Sequence, residues 1–357
     1  MDTTTAAEKI ENLVFKIKKV IVGQDDFVRK LVIVLLAGGH CIVESSPGLA
    51  KTLTVETLAK CIGGTFKRIQ FTPDLLPSDI VGTRIYHQSS EAFDVELGPI
   101  VANLVLADEI NRAPAKVQSA MLEVMAEGQI TIHKSRFEMP SPFSVIATQN
   151  PIESEGVYPL PEAQRDRFMT KLVLDYPNPA EESEIIRRMS ISVPTVNQIF
   201  TLEDIIELQK QTNTIYVDHI IVEYIVALIS QTRQGRFASL LHVGVSPRAS
   251  LALVKCARAR AVSNGRNYVL PEDIKELAPD VLRHRVLLSY EAIASGYHVD
   301  AFVEQVVESV PMPAMSQFDL SSIPNVSHTI SAPPVAPPVA TPTVPAAPVA
   351  PPVNPQA

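Results

Sequence analysis

The chain predicts the α/β class: a parallel sheet alternating with helices, interrupted by two hairpin insertions and followed by a small all-α domain. Three observations carry this. Five short strand candidates, at 40–44, 67–71, 103–108, 143–149 and 169–174, are separated by segments of helix length, the alternation that builds parallel sheets. The run Glu44-Ser45-Ser46-Pro47-Gly48-Leu49-Ala50-Lys51-Thr52 joins the first of them to a helix-like stretch, Leu53 to Ile62. From residue 178 the apolar spacing becomes helical and stays so to about 310.

The elements follow in order. Residues 1–22 read as an amphipathic helix, with Ile10, Leu13, Val14, Ile17 and Ile21 at helical spacing, and Gly23 breaks the pattern. Residues 23–177 hold the alternating core. Two stretches within it lean toward β structure and read as hairpins: Thr83–Tyr86 with Phe93–Glu96, and Ile130–Ile132 with Arg136–Met139. Between them Pro114 to Glu127 reads as a helix whose one face carries Val117, Ala120, Met121, Val124 and Met125, with Pro114 at its start, where no N–H partner is lost. In residues 178–310, amphipathic spacing marks helices at Glu203–Lys210, His219–Thr232, Arg248–Val262 and Glu272–Leu282, enough for a helical lid. From 311 the composition shifts. Residues 332–357 carry no charge and are mostly Pro, Ala, Val and Thr, so 311–357 is expected to be a disordered tail that prefers extended geometry.

The strand–loop–helix run has the chemistry of a phosphate loop. Its backbone N–H groups and helix N-terminus suit phosphate, Lys51 supplies positive charge for the outer phosphates, and the Thr52 hydroxyl is placed to ligand Mg²⁺. Against the general pattern G-x-x-x-x-G-K-[ST], Ser45 and Ala50 stand where glycines are expected, while Gly48 remains to take a positive φ. The run Leu104-Val105-Leu106-Ala107-Asp108-Glu109 reads as a buried strand ending in two carboxylates. Asp108 suits the Mg²⁺ shell, and Glu109 suits polarisation of a water for attack on a γ-phosphate. Asn150 closes another apolar strand that should lie alongside. It reads either as an amide orienting that water or as a turn residue before Pro151.

Composition narrows the field. A net charge of −8 without a basic stripe argues against broad nucleic-acid binding. The longest apolar run, Leu31 to Ala37, is too short to span a bilayer, and the polar start, Met1 to Lys9, lacks a signal-peptide core, so a cytoplasmic protein is expected. Cys41, Cys61 and Cys256 are widely spaced and read as buried small hydrophobes.

Val22-Gly23-Gln24, Pro47-Gly48-Leu49-Ala50-Lys51-Thr52, Gln70-Phe71-Thr72-Pro73-Asp74-Leu75-Leu76-Pro77-Ser78-Asp79-Ile80, Ala107-Asp108-Glu109-Ile110-Asn111-Arg112-Ala113-Pro114, Ala147-Thr148-Gln149-Asn150-Pro151-Ile152-Glu153, Pro159-Leu160-Pro161-Glu162-Ala163-Gln164 and Ser246-Pro247-Arg248-Ala249-Ser250 together resemble MoxR-type AAA+ ATPases. The resemblance runs from Val20 to about Val286. Ala50 is usual in that family; Ser45 departs from its glycine. The resemblance implies a nucleotide site of Val22, Gly23 and Gln24 beside the adenine, with Ser46, Pro47, Gly48, Leu49, Ala50, Lys51, Thr52 and Leu53 on the phosphates. It gives the metal to Thr52 and Asp108, and gives Asn150 the sensor position beside Glu109. It also makes Arg248 a lid arginine reaching back to the nucleotide, and Arg167 a finger acting on a neighbour's ATP, with Arg165 as the runner-up. A hexameric ring, ATP and Mg²⁺ as cofactors, and a chaperone acting on clients with von Willebrand factor A domains are implied in the same way. The competing expectation, resting on Ser45, is a nucleotide-gated binding module with little turnover.

Overall fold

The computed structural model describes residues 2–88, 91–150, 157–190, 194–314 and 318. The expected disordered tail lies outside them except for 311–314 and 318, as does the motif segment Pro151-Ile152-Glu153.

Five strands form one parallel sheet: β1 (Cys41–Ser45), β2 (Phe66–Gln70), β5 (Leu104–Asp108), β8 (Ser144–Gln149) and β9 (Thr170–Leu174), in the order β2-β5-β8-β1-β9. Strand β5 is buried along its whole length, as its unbroken apolar run requires. β1 and β5 are not adjacent; β8 lies between them, and the loops after all three open at one carboxyl edge. The two insertions are antiparallel hairpins, β3 (Gly82–His87) with β4 (Ala92–Leu97) and β6 (Gln129–Ile132) with β7 (Ser135–Glu138). At the base of the first, a Cβ on Gly82 would come within 2.2 Å of the Glu96 carbonyl oxygen, so the close pass of the two strands needs glycine.

Helices cover both faces. Helix α1 (Thr3–Val20) buries Ile10, Leu13, Val14 and Ile17, α2 (Asp25–Leu36) follows it, and α3 (Lys51–Cys61) leaves the β1 loop. Helix α4 (Pro77–Val81) leads into the first hairpin, and α5 (Ala115–Glu127) packs Val117, Met121, Val124 and Met125 against the sheet core. A short α6 (Glu162–Arg165) precedes β9, and α7 (Pro179–Met189) follows it under an Asn178–Glu181 capping box. The lid holds α8 (Leu202–Thr214), α9 (His219–Gln231), α10 (Gly235–Ala238), α11 (Pro247–Ser263), α12 (Pro271–Leu282), α13 (Tyr290–Ala294) and α14 (Val299–Ser309). It is not purely helical: β10 (Leu241–Val243) and β11 (Leu287–Leu288) pair antiparallel. Two and three residues are too short for a periodic signal, which is why the sequence reads as all-α there. One apolar core runs through α1, α2 and the lid helices, and α1 packs on α11. Among the described residues no helix is long and apolar enough to cross a membrane. Cys41, Cys61 and Cys256 are free and buried; burial pushes the Cys61 thiol up to about 11.

His40, just before β1, is enclosed between β8 and α5. The Val145 N–H donates to its Nδ1 at 3.0 Å, leaving Nε2–H to donate to the Met125 carbonyl at 3.2 Å. The bond from Val145 needs an unprotonated Nδ1, hence the neutral ring, and burial pulls its pKa down to about 4 against the Met125 bond, which acts in the opposite sense. An unfolded histidine titrates near 6.5, so this contribution is complete above that pH and is lost as the pH falls toward 4, by about 3 kcal/mol. The melting temperature is expected to drop across that window, and His40→Gln to flatten part of the drop. Parallel curves for the two proteins would contradict this.

Candidate functional site

The β1–α3 loop turns through two left-handed residues, Gly48 at φ +82° and Ala50 at φ +54°. A Cβ on Gly48 would meet nothing within 4 Å, so that glycine serves backbone conformation rather than close packing. The first N–H groups of α3 have no carbonyl partner within the helix, and its opening residues line a cavity of about 430 Å³. Pro47, Gly48, Leu49, Ala50, Lys51, Thr52 and Leu53 form one wall; Asp108, Glu109 and Arg68 form the other. Ser46 belongs to the same loop, its carbonyl 3.4 Å from Lys51 Nζ. Lys51 lies folded onto the loop, donating to Ser45 Oγ at 2.7 Å. Burial lowers its pKa, with Asp108 and Glu109 acting in the opposite sense. Ser45 itself is buried.

The acidic wall is held by a hydroxyl relay. Glu109 is left-handed, at φ +57°, a conformation that costs a residue with a Cβ roughly 1–2 kcal/mol. Its N–H donates to Thr148 Oγ1 at 2.9 Å, and that hydroxyl donates to Asp108 Oδ1 at 2.5 Å. The relay aims Asp108 into the cavity and lifts Glu109 off the strand. Gln70 Nε2 donates to Glu109 Oε2 at 2.9 Å, and Arg112 Nε lies 3.0 Å from the same oxygen. Asn150 follows β8 directly; Gln149 is in register with Glu44, which places Asn150 at the carboxyl edge of the sheet between the β1 and β5 ends. Gly23 (φ +75°) and Gln24 join α1 to α2, with Gln24 Nε2 donating to the Asp175 carbonyl just after β9. Val22, Gly23 and Gln24 therefore stand at the same carboxyl edge.

A loop of this form, with a lysine, a hydroxyl and two carboxylates converging on one cavity, has the donor set for a polyphosphate and a divalent cation. Arg68 was not foreseen. It alternates with Gln70 on β2, and both side chains reach the carboxylates of β5 because Arg68 pairs in register with Leu106 and Gln70 with Asp108. The polar alternation in that strand was its only signal.

Arg248 is the lid arginine expected to reach back to the nucleotide. It does not line the Lys51 cavity. It borders a second one, of about 390 Å³, with Gly39, His40, Arg167, Met169 and Arg285. Gly39 and His40 precede β1, and Arg167 and Met169 precede β9, so this cavity lies at the amino edge of the sheet. The five residues of β1 separate it from the Lys51 loop, roughly 16 Å at the usual rise. The lid is fixed there by Asp166. Its Oδ1 accepts from the buried Arg285 at 2.8 Å, while its Oδ2 accepts from Ser246 Oγ at 2.9 Å and lies 3.4 Å from Arg248 Nη1. Arg285 also donates to the carbonyls of Phe168 and Met169. Arg167 is exposed, donates to the Leu122 carbonyl at 2.9 Å and borders this cavity, whereas Arg165 does not.

Residues 40–170 match the model of the ATPase family associated with various cellular activities, and residues 233–306 match the AAA lid domain. Chaperone MoxR1 of Mycobacterium tuberculosis is 50% identical over 332 residues, covering 91% of this chain and 86% of that relative. The chain belongs to the MoxR-type AAA+ ATPases. The YeaC protein of Bacillus subtilis, uncharacterised by its description, is 46% identical over 83% of this chain and 92% of its own. A crystal structure from Cytophaga hutchinsonii, whose protein carries a provisional ATPase designation, superposes with a TM-score of 0.82 at 44% identity, covering 87% of this chain and 97% of that one. The ATPase-family match spans the Lys51 cavity and Arg167; the lid match spans Arg248 and Arg285.

Proposed function

We propose that this chain binds ATP, hydrolyses it within a closed ring, and uses the cycle to remodel partner proteins. One observation carries the reading. Lys51, Thr52, Asp108 and Glu109 meet in one cavity, while the exposed cations Arg167 and Arg248 stand at the opposite edge of the sheet. Hydrolysis needs positive charge on the transferring phosphoryl group beyond that of Lys51, and Arg68, which lines the same cavity, is paired with Asp108 in this conformation. In this conformation Arg167 and Arg248 lie too far from their own site to supply it, and a second copy packed head to tail would bring them to a neighbour's. Such a heterologous contact closes into a ring when its rotation divides a full turn; six copies is the number the MoxR-type membership suggests.

In this reading the α3 N-terminus and Lys51 take the phosphates, and Val22–Gln24 take the base. Mg²⁺, held through Thr52 and Asp108, would supply positive charge on the outer phosphates. Glu109 draws the proton from an attacking water that Asn150 orients. The first hairpin leaves Ile85, Tyr86, Phe93 and Leu97 exposed, apolar side chains suited to gripping a client chain. A client carrying a von Willebrand factor A domain, and a cytoplasmic site of action, complete the proposal.

The test is phosphate release from purified protein in Mg-ATP, with calorimetry on Lys51→Ala. Wild type is expected to turn over, and the variant to lose ATP affinity by about 100-fold or more, since a partly buried charge partner of the phosphates is removed. A Lys51→Ala protein that binds ATP as tightly as wild type would exclude the loop as the nucleotide site.

A further inference from the structure

Both oxygens of Asp108 are already engaged. Thr148 Oγ1 holds Oδ1, while Arg68 donates to Oδ2 twice, from Nε at 3.0 Å and from Nη2 at 2.6 Å. Nη2 also donates to Gln70 Oε1 at 2.7 Å, and Gln70 in turn donates to Glu109. One guanidinium thus ties the two carboxylates of the site into a single network through β2. The pair is asymmetric: the Asp108 side chain is 12% exposed, whereas Arg68 is 49% exposed and lies on an edge strand of the sheet. The carboxylate is fixed and the arginine has room to move. Arg68 also lines the Lys51 cavity, so its charge and the phosphate loop face the same space.

Building on the proposed Mg-ATP site, we infer that Arg68 is an internal counter-ion that competes with the divalent cation for Asp108 and, once displaced, donates to the bound polyphosphate. The two states exchange one charge partner for another. With Arg68 on Asp108 the carboxylate is neutralised by two N–H donors converging on Oδ2, and a hydrated cation cannot reach the same oxygen. With the cation in place, like charges repel the guanidinium from Asp108 and the phosphate oxygens are the acceptors nearest to it. Loss of the Arg68 contact would also release Gln70, which couples cation arrival to the freedom of Glu109. Competition lowers apparent cation affinity by the fraction of molecules in which Asp108 is free.

The experiment uses the full chain, a fluorescent non-hydrolysable ATP analogue and a Mg²⁺ titration. For Arg68→Ala the Mg²⁺ midpoint for analogue binding is expected to fall about five- to tenfold, because Asp108 no longer has to be vacated. At saturating Mg²⁺ the analogue should bind severalfold more weakly, since a phosphate donor is gone. Arg68→Lys, which keeps the charge but not the two converging donors, should fall between the two and guards against misfolding of the alanine variant. A midpoint unchanged or raised in both variants, with wild type binding the analogue in a Mg²⁺-dependent way, would overturn the role of Arg68 alone. Wild type failing to bind the analogue at any Mg²⁺ concentration would instead remove the site on which the inference rests.

Discussion

Glu109→Gln is expected to leave ATP bound and to lower phosphate release by roughly 10²–10⁴-fold, the usual worth of a positioned general base. The substitution preserves side-chain size and the left-handed backbone, and the N–H bond to Thr148 Oγ1 does not depend on the side chain. The amide keeps an oxygen for Gln70. What disappears is the charge that draws a proton from water, together with the ion pair to Arg112. Binding should survive because Lys51 and the α3 N-terminus are untouched. Phosphate release measured beside analogue affinity separates the two effects, and undiminished release would exclude Glu109 as the base.

The sequence carried much of this arrangement because the core elements are written in strong local signals. The five strand candidates became the five sheet strands within one or two residues, since a strand buried on both faces, as β5 is, must be apolar throughout, while the edge strand β2 is mostly exposed and keeps polar residues. The Lys51 loop and the Asp108–Glu109 strand end were legible for the same reason: their chemistry needs particular residue types beside those strands. Orientation of the lid was not legible. Arg248 opens α11 as the periodicity suggests, yet which edge of the sheet it faces depends on Asp166, Ser246 and Arg285 meeting across 119 residues of chain. No local pattern encodes that contact. Arg68 was missed on similar grounds, since a charged residue on an edge strand reads as ordinary surface until its register with β5 brings it to Asp108.

Arg167→Ala carries the other large effect. The finger of a phosphoryl-transfer enzyme is worth roughly 10³–10⁵ in rate, and hydrolysis is expected to fall on that scale. The chain's own Lys51 cavity lies at the far edge of the sheet, so ATP affinity should stay close to wild type. Removing Arg167 costs the fold its bond to the Leu122 carbonyl at an exposed position, worth about 1 kcal/mol, so the variant is expected to remain folded.

Completion of each site by a neighbour is tested most directly by mixing two inactive proteins, Arg167→Ala and Glu109→Gln, and measuring phosphate release across mixing ratios with mixed assembly verified separately. Where a Glu109→Gln subunit presents its intact Arg167 to the intact Glu109 of an Arg167→Ala subunit, a complete site is rebuilt, and neither protein alone contains one. Activity is therefore expected to rise from near zero at either end to a maximum at intermediate ratios. A flat line at the background of the two single variants would contradict the account, because an arginine acting within its own chain gains nothing from a neighbour.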